Sequence, residues 1–152
     1  MSDANGVALR PSVYDSAAPE DTEGLAARLA SGLRPGDRIE LHGPLGSGKT
    51  TFVRGLARGL GLNPNDVHSP TFTMVHRYRG EITLMHADLY RVHSAEGYEE
   101  LGLEEDAGAS VLVIEWAERL PSGAPEATVQ IHFEITGERS RRLHVSRRPP
   151  AA

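Results

Sequence analysis

The sequence predicts an α/β fold in which helices lie on both faces of a mixed, mainly parallel central sheet, giving three layers. An apolar run at 39–41 leads through a glycine-rich turn into an amphipathic helix, the pattern of a strand–loop–helix unit. The run at 111–114 is wholly apolar, which is typical of a strand buried on both faces. Two β-rich runs at 71–78 and 82–89, joined at 79–81, predict an antiparallel hairpin inserted after the first unit.

Two helices flank the glycine-rich turn. Acidic residues in a first turn and leucines at helical spacing predict a helix from Ala18 to about Gly32. The helix after the glycine-rich turn carries its apolar side chains on one side. It is predicted to end at the glycines of 59–61, ahead of Pro64.

The second half of the chain adds an acidic segment and two more strands. Residues 94–109 are acidic and helical in character, either as a solvated helix face or as a surface that docks on a basic partner. Residues 129–135 and 142–145 are predicted strands, with a turn at Gly137. The chain shows no internal repeat and no long linker.

Length and composition favour one domain over 1–152, with flexible ends at about 1–15 and 146–152. The chain has no cysteine, which excludes a disulfide framework and a thiolate metal site. It has no N-terminal apolar run like a signal peptide, and no stretch near the ~18–20 apolar residues of a membrane span. A cytoplasmic protein without membrane contact is therefore expected.

Charge is distributed unevenly along the chain. The net charge is −5, yet five of the 16 basic residues are arginines after residue 138, where there is no acid. The acidic body before that point is a poor surface for nucleic acid by itself. The arginine-rich end is either a solvated tail or a contact for RNA or an acidic partner.

A phosphate-binding motif occupies the glycine-rich turn. The residues that fit G-x-x-x-x-G-K-[ST] are Gly43, Gly48, Lys49 and Thr50. In this motif backbone N–H groups and the start of the next helix face phosphate. Lys49, the only lysine, is expected to reach the β- and γ-phosphates, Thr50 to bind Mg²⁺, and Thr51 to serve the helix or the α-phosphate. The predicted nucleotide-binding loop comprises Gly43, Pro44, Leu45, Gly46, Ser47, Gly48, Lys49, Thr50 and Thr51.

Two carboxylates are predicted beside this loop, because the carboxyl ends of parallel strands converge there. Glu115 follows the apolar run and is expected to hold Mg²⁺, directly or through water, or to orient the attacking water; the alternative is a strand cap at the surface. Asp88 is a candidate second magnesium ligand or general base, and otherwise a solvent-facing acid. His86 projects to the side of Asp88 and either hydrogen-bonds near the phosphates or has a structural role.

Two further positions are candidate nucleotide contacts. The segment SPTF at 69–72 lies where nucleotide hydrolases have a segment that senses the γ-phosphate. Thr71 would supply the sensing hydroxyl, unless the segment is only a rigid turn into a strand. Trp116, the only tryptophan, is expected to pack over the nucleotide, over a partner surface or in the core.

Four motifs occur in series within one small domain: GPLGSGKTTF, SPTF, HADLYR and IEW. Together they resemble the bacterial TsaE family, formerly called YjeE, over roughly residues 22–116. The resemblance implies a P-loop NTPase fold and a weak ATPase that uses ATP and Mg²⁺ in the tRNA threonylcarbamoyladenosine pathway. It also implies TsaB and TsaD as partners. TsaD is then the transferase, and the ATP cycle of this chain supports repeated turnover, with tRNA engaged only indirectly.

The resemblance assigns roles position by position. Thr50 and Glu115 match the magnesium residues, and Asp88 matches the acid that hydrolysis needs. The positions matched to nucleotide contacts are Thr22, the loop around Lys49, Thr71 in the switch-like segment, and Trp116 beside the nucleotide. Lys49, Asp88 and Glu115 are thus the expected catalytic residues.

Two positions depart from the family pattern. Pro44 stands where many relatives have an acid, which is expected to affect loop stiffness rather than binding. Ala26 stands where relatives often have glycine, and the contact of Thr22 with the nucleotide depends on that alignment.

Two other functions are compatible with the same loop. A small-molecule kinase needs an acceptor pocket and usually an arginine-bearing lid, and the sequence shows neither a lid-length insertion nor an acceptor constellation. A nucleotide-gated interaction module with negligible turnover would be recognised in its ATP-bound state, with hydrolysis only resetting it. The acidic segment 94–109 suits the second alternative.

Overall fold

A computed structural model describes residues 10–68 and 74–147. The strands and helices of these residues follow one another as β1 (Ser12–Ser16), α1 (Pro19–Ala30), β2 (Arg38–His42), α2 (Lys49–Gly59), β3 (Val75–Tyr78), β4 (Thr83–Asp88), α3 (Ala95–Glu100), α4 (Leu103–Asp106), β5 (Ser110–Glu115), β6 (Val129–Ile135) and β7 (Arg141–Arg147). Short 3-10 turns lie at Pro64–Asp66, Ala107–Ala109 and Ala117–Arg119.

The described strands form one sheet of seven in the order β1-β7-β6-β2-β5-β4-β3. The central strands β6, β2, β5 and β4 run parallel, whereas β3 is antiparallel to β4 and β7 is antiparallel to both β6 and β1. Glu115 of β5 pairs with Leu41 of β2 on one side and with Asp88 of β4 on the other. The carboxyl ends of three strands therefore meet where the loop after β2 begins. The predicted mixed sheet and its inserted hairpin are confirmed.

Helices α1 and α2 cover one face of the sheet, and their apolar side chains join those of the strands in one core cluster. Two glycines of α2 set the distance between these helices. A Cβ on Gly55 would lie 2.3 Å from the Glu23 carbonyl oxygen, and a Cβ on Gly59 would lie 2.6 Å from the Ala30 Cβ. Because only glycine fits at these crossings, α2 packs close against α1 and holds the preceding loop in place.

Short helices cover only part of the other face. Helices α3 and α4 pack on β4 and β5, where Met85 and Leu112 are fully buried. Over β6 and β7 the same face carries exposed polar side chains instead, namely His132, Glu134 and His144. In the described part of the chain, the third layer therefore covers one half of the sheet and leaves the other half open.

The acidic segment forms two short helices, α3 and α4, separated by Gly102 at φ +67°. Glu104 pairs with the buried Arg38 at 2.7 Å and accepts a hydrogen bond from the Tyr98 hydroxyl. Part of the acidic charge is thus used inside the protein. The acids of this segment that remain exposed include Glu99, Glu100 and Glu105.

Both ends of the described chain are more regular than predicted. The expected flexible end at 1–15 is wrong from residue 12 onward, since residues 12–16 form β1 and pair with β7. The expected flexible end at 146–152 is likewise wrong at 146–147, because β7 continues to Arg147. A strand as short as β1 gives a weak sequence signal, and its pairing with β7 decides its conformation.

Two predicted features are affected by the gap in the described residues. The SPTF segment at 69–72, with Thr71, lies wholly outside them, and so does the start of the predicted strand, at 71–73. The described part of that strand, β3, begins at Val75. None of the described helices is long and apolar enough to cross a membrane.

Candidate functional site

The phosphate-binding loop connects the end of β2 to the start of α2, at the edge where the strand ends meet. Gly46 and Gly48 have φ of +79° and +103°, which residues with a side chain rarely adopt. A Cβ on Gly43 would lie 2.7 Å from the Ser47 Oγ and 2.9 Å from the Phe133 Cβ. Glycine is therefore required at all three positions for the backbone to curl in front of the helix.

A cavity of about 760 Å³ opens beside this loop, a volume that suits a nucleotide. It brings together most of the predicted site residues, namely Thr22, Leu45, Gly46, Gly48, Lys49, Thr50, Thr51, Asp88, Glu115 and Trp116. The loop residues Gly43, Pro44 and Ser47 do not line it. Their contribution is to the shape of the loop.

Lys49 lines the cavity and is nearly buried, with 6% of its surface exposed. Its Nζ donates a hydrogen bond of 2.7 Å to the Gly43 carbonyl and lies 4.1 Å from the centre of the Trp116 ring. Trp116, at φ +59°, also contacts the Tyr90 ring at 4.9 Å between centroids. An ammonium over an aromatic face is stabilised by the ring quadrupole. The Trp116 ring and the Gly43 carbonyl therefore hold the lysine inside the cavity.

Glu115 lies at the end of β5 with 4% of its surface exposed, which excludes the alternative of a surface strand cap. Its Oε2 accepts a hydrogen bond from the Thr50 Oγ1 at 3.3 Å and lies 2.6 Å from the His86 Nε2. The Thr50 hydroxyl, in the first turn of α2, is therefore in direct contact with the Glu115 carboxylate at the end of β5.

Asp88 lies beside Glu115 because the two residues pair in register across β4 and β5. Only 9% of its surface is exposed, so it is not a solvent-facing acid, and its Oδ1 accepts the backbone N–H of Tyr90 at 2.9 Å. Burial raises the pKa of Asp88 and the charge of Glu115 raises it further, although the Tyr90 hydrogen bond lowers it. A desolvated carboxylate of this kind is stabilised by a nearby cation.

His86 is fully buried and does not line the cavity. Its Nε2 contacts Glu115, and its Nδ1 lies 3.4 Å from the Tyr78 hydroxyl. Of the two predicted roles, the structure favours the structural one. His86 supports a carboxylate of the site from behind and does not face the open space.

The donor set at the strand ends suits magnesium. Thr50, Asp88 and Glu115 offer one hydroxyl and two carboxylates, the hard oxygen ligands that Mg²⁺ prefers. The described residues contain no group of three or more His, Cys, Asp or Glu side chains that could hold a metal. A magnesium ion at this site would therefore take its remaining ligands from nucleotide phosphates and water.

The turn between β6 and β7 contributes cavity walls that the sequence did not predict. Glu138 and Arg139 of this turn line the cavity, and so does Arg141, the first residue of β7. The Arg141 Nη2 donates to the Gly46 carbonyl at 2.9 Å, and its Nη1 donates to the Ser140 carbonyl at 2.7 Å. Arg141 thus ties the turn to the phosphate-binding loop. The only sequence signal was an arginine-rich end, in which nothing distinguishes this residue from its neighbours.

Thr22 of α1 reaches the cavity wall although only 2% of its surface is exposed. Its Oγ1 lies 2.8 Å from the Ser16 Oγ of β1. β1, which the sequence did not predict, therefore positions a residue that the family resemblance assigned to nucleotide contact.

A curled glycine loop between a central parallel strand and the next helix, with two carboxylates at neighbouring strand ends, defines the class of P-loop NTPase folds. The family model described as "Threonylcarbamoyl adenosine biosynthesis protein TsaE" matches residues 16–143. The chain belongs to the TsaE family.

Individual relatives agree with this assignment. The chain is 39% identical over 132 residues to "tRNA threonylcarbamoyladenosine biosynthesis protein TsaE" of Treponema pallidum, which covers 86% of this chain and 97% of that protein. It is 39% identical over 127 residues to the Bacillus subtilis protein of the same name, covering 82% and 78%. The crystal structure of Bacillus subtilis YdiB superimposes with a TM-score of 0.65 at 34% identity, covering 86% of this chain and 81% of that one.

Proposed function

We propose that this chain is the Mg²⁺-dependent, ATP-binding and ATP-hydrolysing component of the machinery that makes threonylcarbamoyladenosine in tRNA. One observation carries the proposal: Lys49, the Thr50–Glu115 pair and Asp88 converge on a nucleotide-sized cavity beside a curled glycine loop. Family membership supports the pathway, because the relatives are named as biosynthesis proteins for this modification.

The loop and Lys49 would bind the phosphates. Backbone N–H groups and the amino end of α2 supply partial positive charge toward the cavity. The present partners of Lys49 are a neutral carbonyl and an aromatic ring. Charged phosphate oxygens are stronger partners for an ammonium than either. ATP binding would therefore move the Nζ from Gly43 and Trp116 to the β- and γ-phosphates.

The strand-end carboxylates would serve the metal and the water. Magnesium, when bound, neutralises charge on the β- and γ-phosphate oxygens. Thr50 would hold it through its hydroxyl, and Glu115 through its carboxylate or an intervening water. Asp88 would orient the attacking water and accept its proton, a task that its raised pKa suits.

The proposed partners are TsaB and TsaD. In this scheme TsaD transfers the threonylcarbamoyl group in the cytoplasm, and the ATP cycle of this chain supports repeated turnover. The chain itself is a weak ATPase, is not the transferase, and meets tRNA only indirectly.

Hydrolysis measurements test the proposal. ATP hydrolysis by the purified chain is expected to be slow alone, faster with TsaB and TsaD from the same organism, and absent in Lys49→Ala. Indifference to the pair, together with stimulation by a small phosphate acceptor, would replace the proposal with a kinase function.

A nucleotide-gated interaction module is a second candidate, favoured by apolar side chains at the cavity mouth. Leu45 is 85% exposed and Tyr90 is 53% exposed, and both line the cavity. A partner seated over the mouth would sense whether a nucleotide is present. A non-hydrolysable ATP analogue separates the candidates: many rounds of tRNA modification with the analogue favour the module, and arrest after one round favours the ATPase.

A further inference from the structure

A row of polar side chains leads from Glu115 into the β3–β4 hairpin. The His86 Nε2 lies 2.6 Å from Glu115, the Tyr78 hydroxyl lies 3.4 Å from the His86 Nδ1, and the His76 Nδ1 lies 3.2 Å from the same hydroxyl. His76 and Tyr78 point to one side of β3 because they are two residues apart, and His76 pairs in register with His86. The row therefore runs from the fully buried His86 to the partly buried outer strand of the hairpin.

One arrangement of protons satisfies every contact in this row. A carboxylate only accepts, so the His86 Nε2 carries the proton that bonds Glu115. A neutral imidazole protonated at Nε2 has an acceptor at Nδ1, 3.4 Å from the Tyr78 hydroxyl, which can donate to it. The competing acceptor of this hydroxyl is the His68 carbonyl, at 3.5 Å. The Tyr78 oxygen can then accept the Nδ1–H of His76. Burial raises the pKa of Tyr78, so its hydroxyl keeps the proton that this arrangement needs.

We propose that His86 is a positioning residue for Glu115: the Nε2–H of His86, held in that tautomer by Tyr78, fixes the carboxylate so that it faces Thr50 and the magnesium site. The inference rests on the proposed function, since it assumes that Mg²⁺ and ATP bind here. The terminal torsion of a glutamate is broad, so a carboxylate without this donor would sample other orientations. Loss of such an outer partner typically lowers metal affinity about 10–100-fold.

The sheet contains a matched control. His144 and Glu134 form the same kind of pair, with Nε2 and Oε1 3.2 Å apart, on the open face of β7 and β6. Its side chains are 46% and 52% exposed, against 0% and 5% for His86 and Glu115. A substitution of His144 removes the same contact without touching the cavity.

The test is the Mg²⁺ dependence of binding of a non-hydrolysable ATP analogue, measured by calorimetry, with folding checked by circular dichroism. His86→Asn removes the donor at the Nε2 position and is expected to raise the Mg²⁺ concentration for half-maximal binding about 10–100-fold. Binding without Mg²⁺ should stay within about twofold. His86→Gln, whose amide nitrogen reaches the Nε2 position, should restore most of the loss. His144→Asn should behave as the wild type.

Other results overturn the inference. Wild-type Mg²⁺ dependence in His86→Asn excludes a positioning role, and an equal defect in His86→Gln shows that His86 acts by packing alone. If His86→Asn does not fold, Tyr78→Phe decides: a several-fold higher Mg²⁺ requirement supports the inference, and an unchanged requirement refutes it. A wild-type chain that binds no nucleotide with or without Mg²⁺ overturns the proposed function as well, which distinguishes the two failures.

Discussion

A pair of one histidine and one glutamate occurs in each half of the sheet, and the two pairs differ in distance and in burial. His86 and Glu115 are 2.6 Å apart and almost wholly buried, in the half where both faces are covered. His144 and Glu134 are 3.2 Å apart and about half exposed, in the half with an open face. Exposed pairs contribute little because water and salt screen them, whereas breaking a buried pair leaves an uncompensated polar group. Position in the sheet, more than residue type, therefore decides whether such a pair is buried or screened by water.

The burial patterns of β5 and β6 show the difference between the two halves of the sheet. All six residues of β5 are buried, and its apolar run ends at Glu115. β6 alternates between buried and exposed residues along most of its length, with Val129, Ile131 and Phe133 inward and Gln130 and His132 outward. A carboxylate at the end of a strand like β5 enters a dry environment, and one on the outer side of β6 stays in water.

Glu115→Ala is the strongest test of this contrast. We expect it to weaken Mg²⁺-dependent ATP binding and to lower hydrolysis roughly a thousandfold, because the proposed Mg²⁺, which Glu115 would help to hold, would stabilise the transition state by several kcal/mol. Nucleotide titrations with and without Mg²⁺ and steady-state hydrolysis measure the effect. The matched Glu134→Ala should retain both properties, and a comparable loss there would contradict the contrast.

Asp88→Asn distinguishes the proposed role of Asp88 from that of Glu115. It should spare nucleotide binding and lower hydrolysis by about a hundredfold, since an amide cannot accept the proton of the attacking water. Single-turnover hydrolysis with a parallel binding titration distinguishes the effects. Binding loss in Asp88→Asn with intact binding in Glu115→Ala would exchange the assigned roles.

The packing of the covered face has its own matched pair of substitutions. Gly55→Ala places a Cβ 2.3 Å from the Glu23 carbonyl oxygen. We therefore expect it to lower the free energy of unfolding by about 1–3 kcal/mol. For a chain of this size that lowers Tm by roughly 2–4 °C per kcal/mol. Gly24→Ala in α1, where a Cβ meets nothing within 4 Å, should instead raise Tm. Thermal unfolding of both variants checks the prediction, and similar shifts would show that the close crossing is not needed.

Asp88→Asn should also change how stability depends on pH. The pKa of Asp88 is raised by burial in the folded protein, so its ionisation lowers stability as pH rises through the raised value. The substitution should therefore raise Tm of the nucleotide-free protein at neutral pH. That gain should vanish below the unfolded pKa of about 4, where both forms of the residue are neutral. A gain independent of pH would assign the effect to packing.

The substitution with the smallest expected effect is His132→Gln, on the open face of the sheet. Burial lowers the pKa of His132, and the neighbouring His42 and His144 lower it further. The unfolded chain then binds more protons, so this contribution to stability is present above the unfolded pKa of about 6.5 and is lost as pH falls below it. His132→Gln should make the slope of Tm against pH shallower between about pH 5 and 7. A slope equal to that of the wild type would contradict the prediction.

Local patterns were enough to predict the centre of the molecule. The loop motif, the apolar run before Glu115 and the hairpin ending near Asp88 each depend on a few consecutive residues. General rules for parallel sheets then place the strand ends together, and the structure pairs Asp88 and Glu115 in register as those rules require.

Local patterns could not predict contacts between residues that are far apart in the sequence. The bond between Arg141 and Gly46 joins positions 95 residues apart, and the one between His86 and Glu115 joins positions 29 apart. β1 was missed for the same reason, because its conformation depends on β7 at the other end of the chain.

The sequence by itself determined the residues of the candidate site: a glycine loop that leads into a lysine and a threonine, one acid near the end of a β-rich run and one directly after an apolar run. These properties are local, because backbone sterics and side-chain periodicity act over a few residues. Only the tertiary structure decided which acid became a supported partner of Thr50 and which half of the sheet stayed open to water. Burial and hydrogen-bond pairing depend on what packs across the sheet, and that is settled when the whole chain folds.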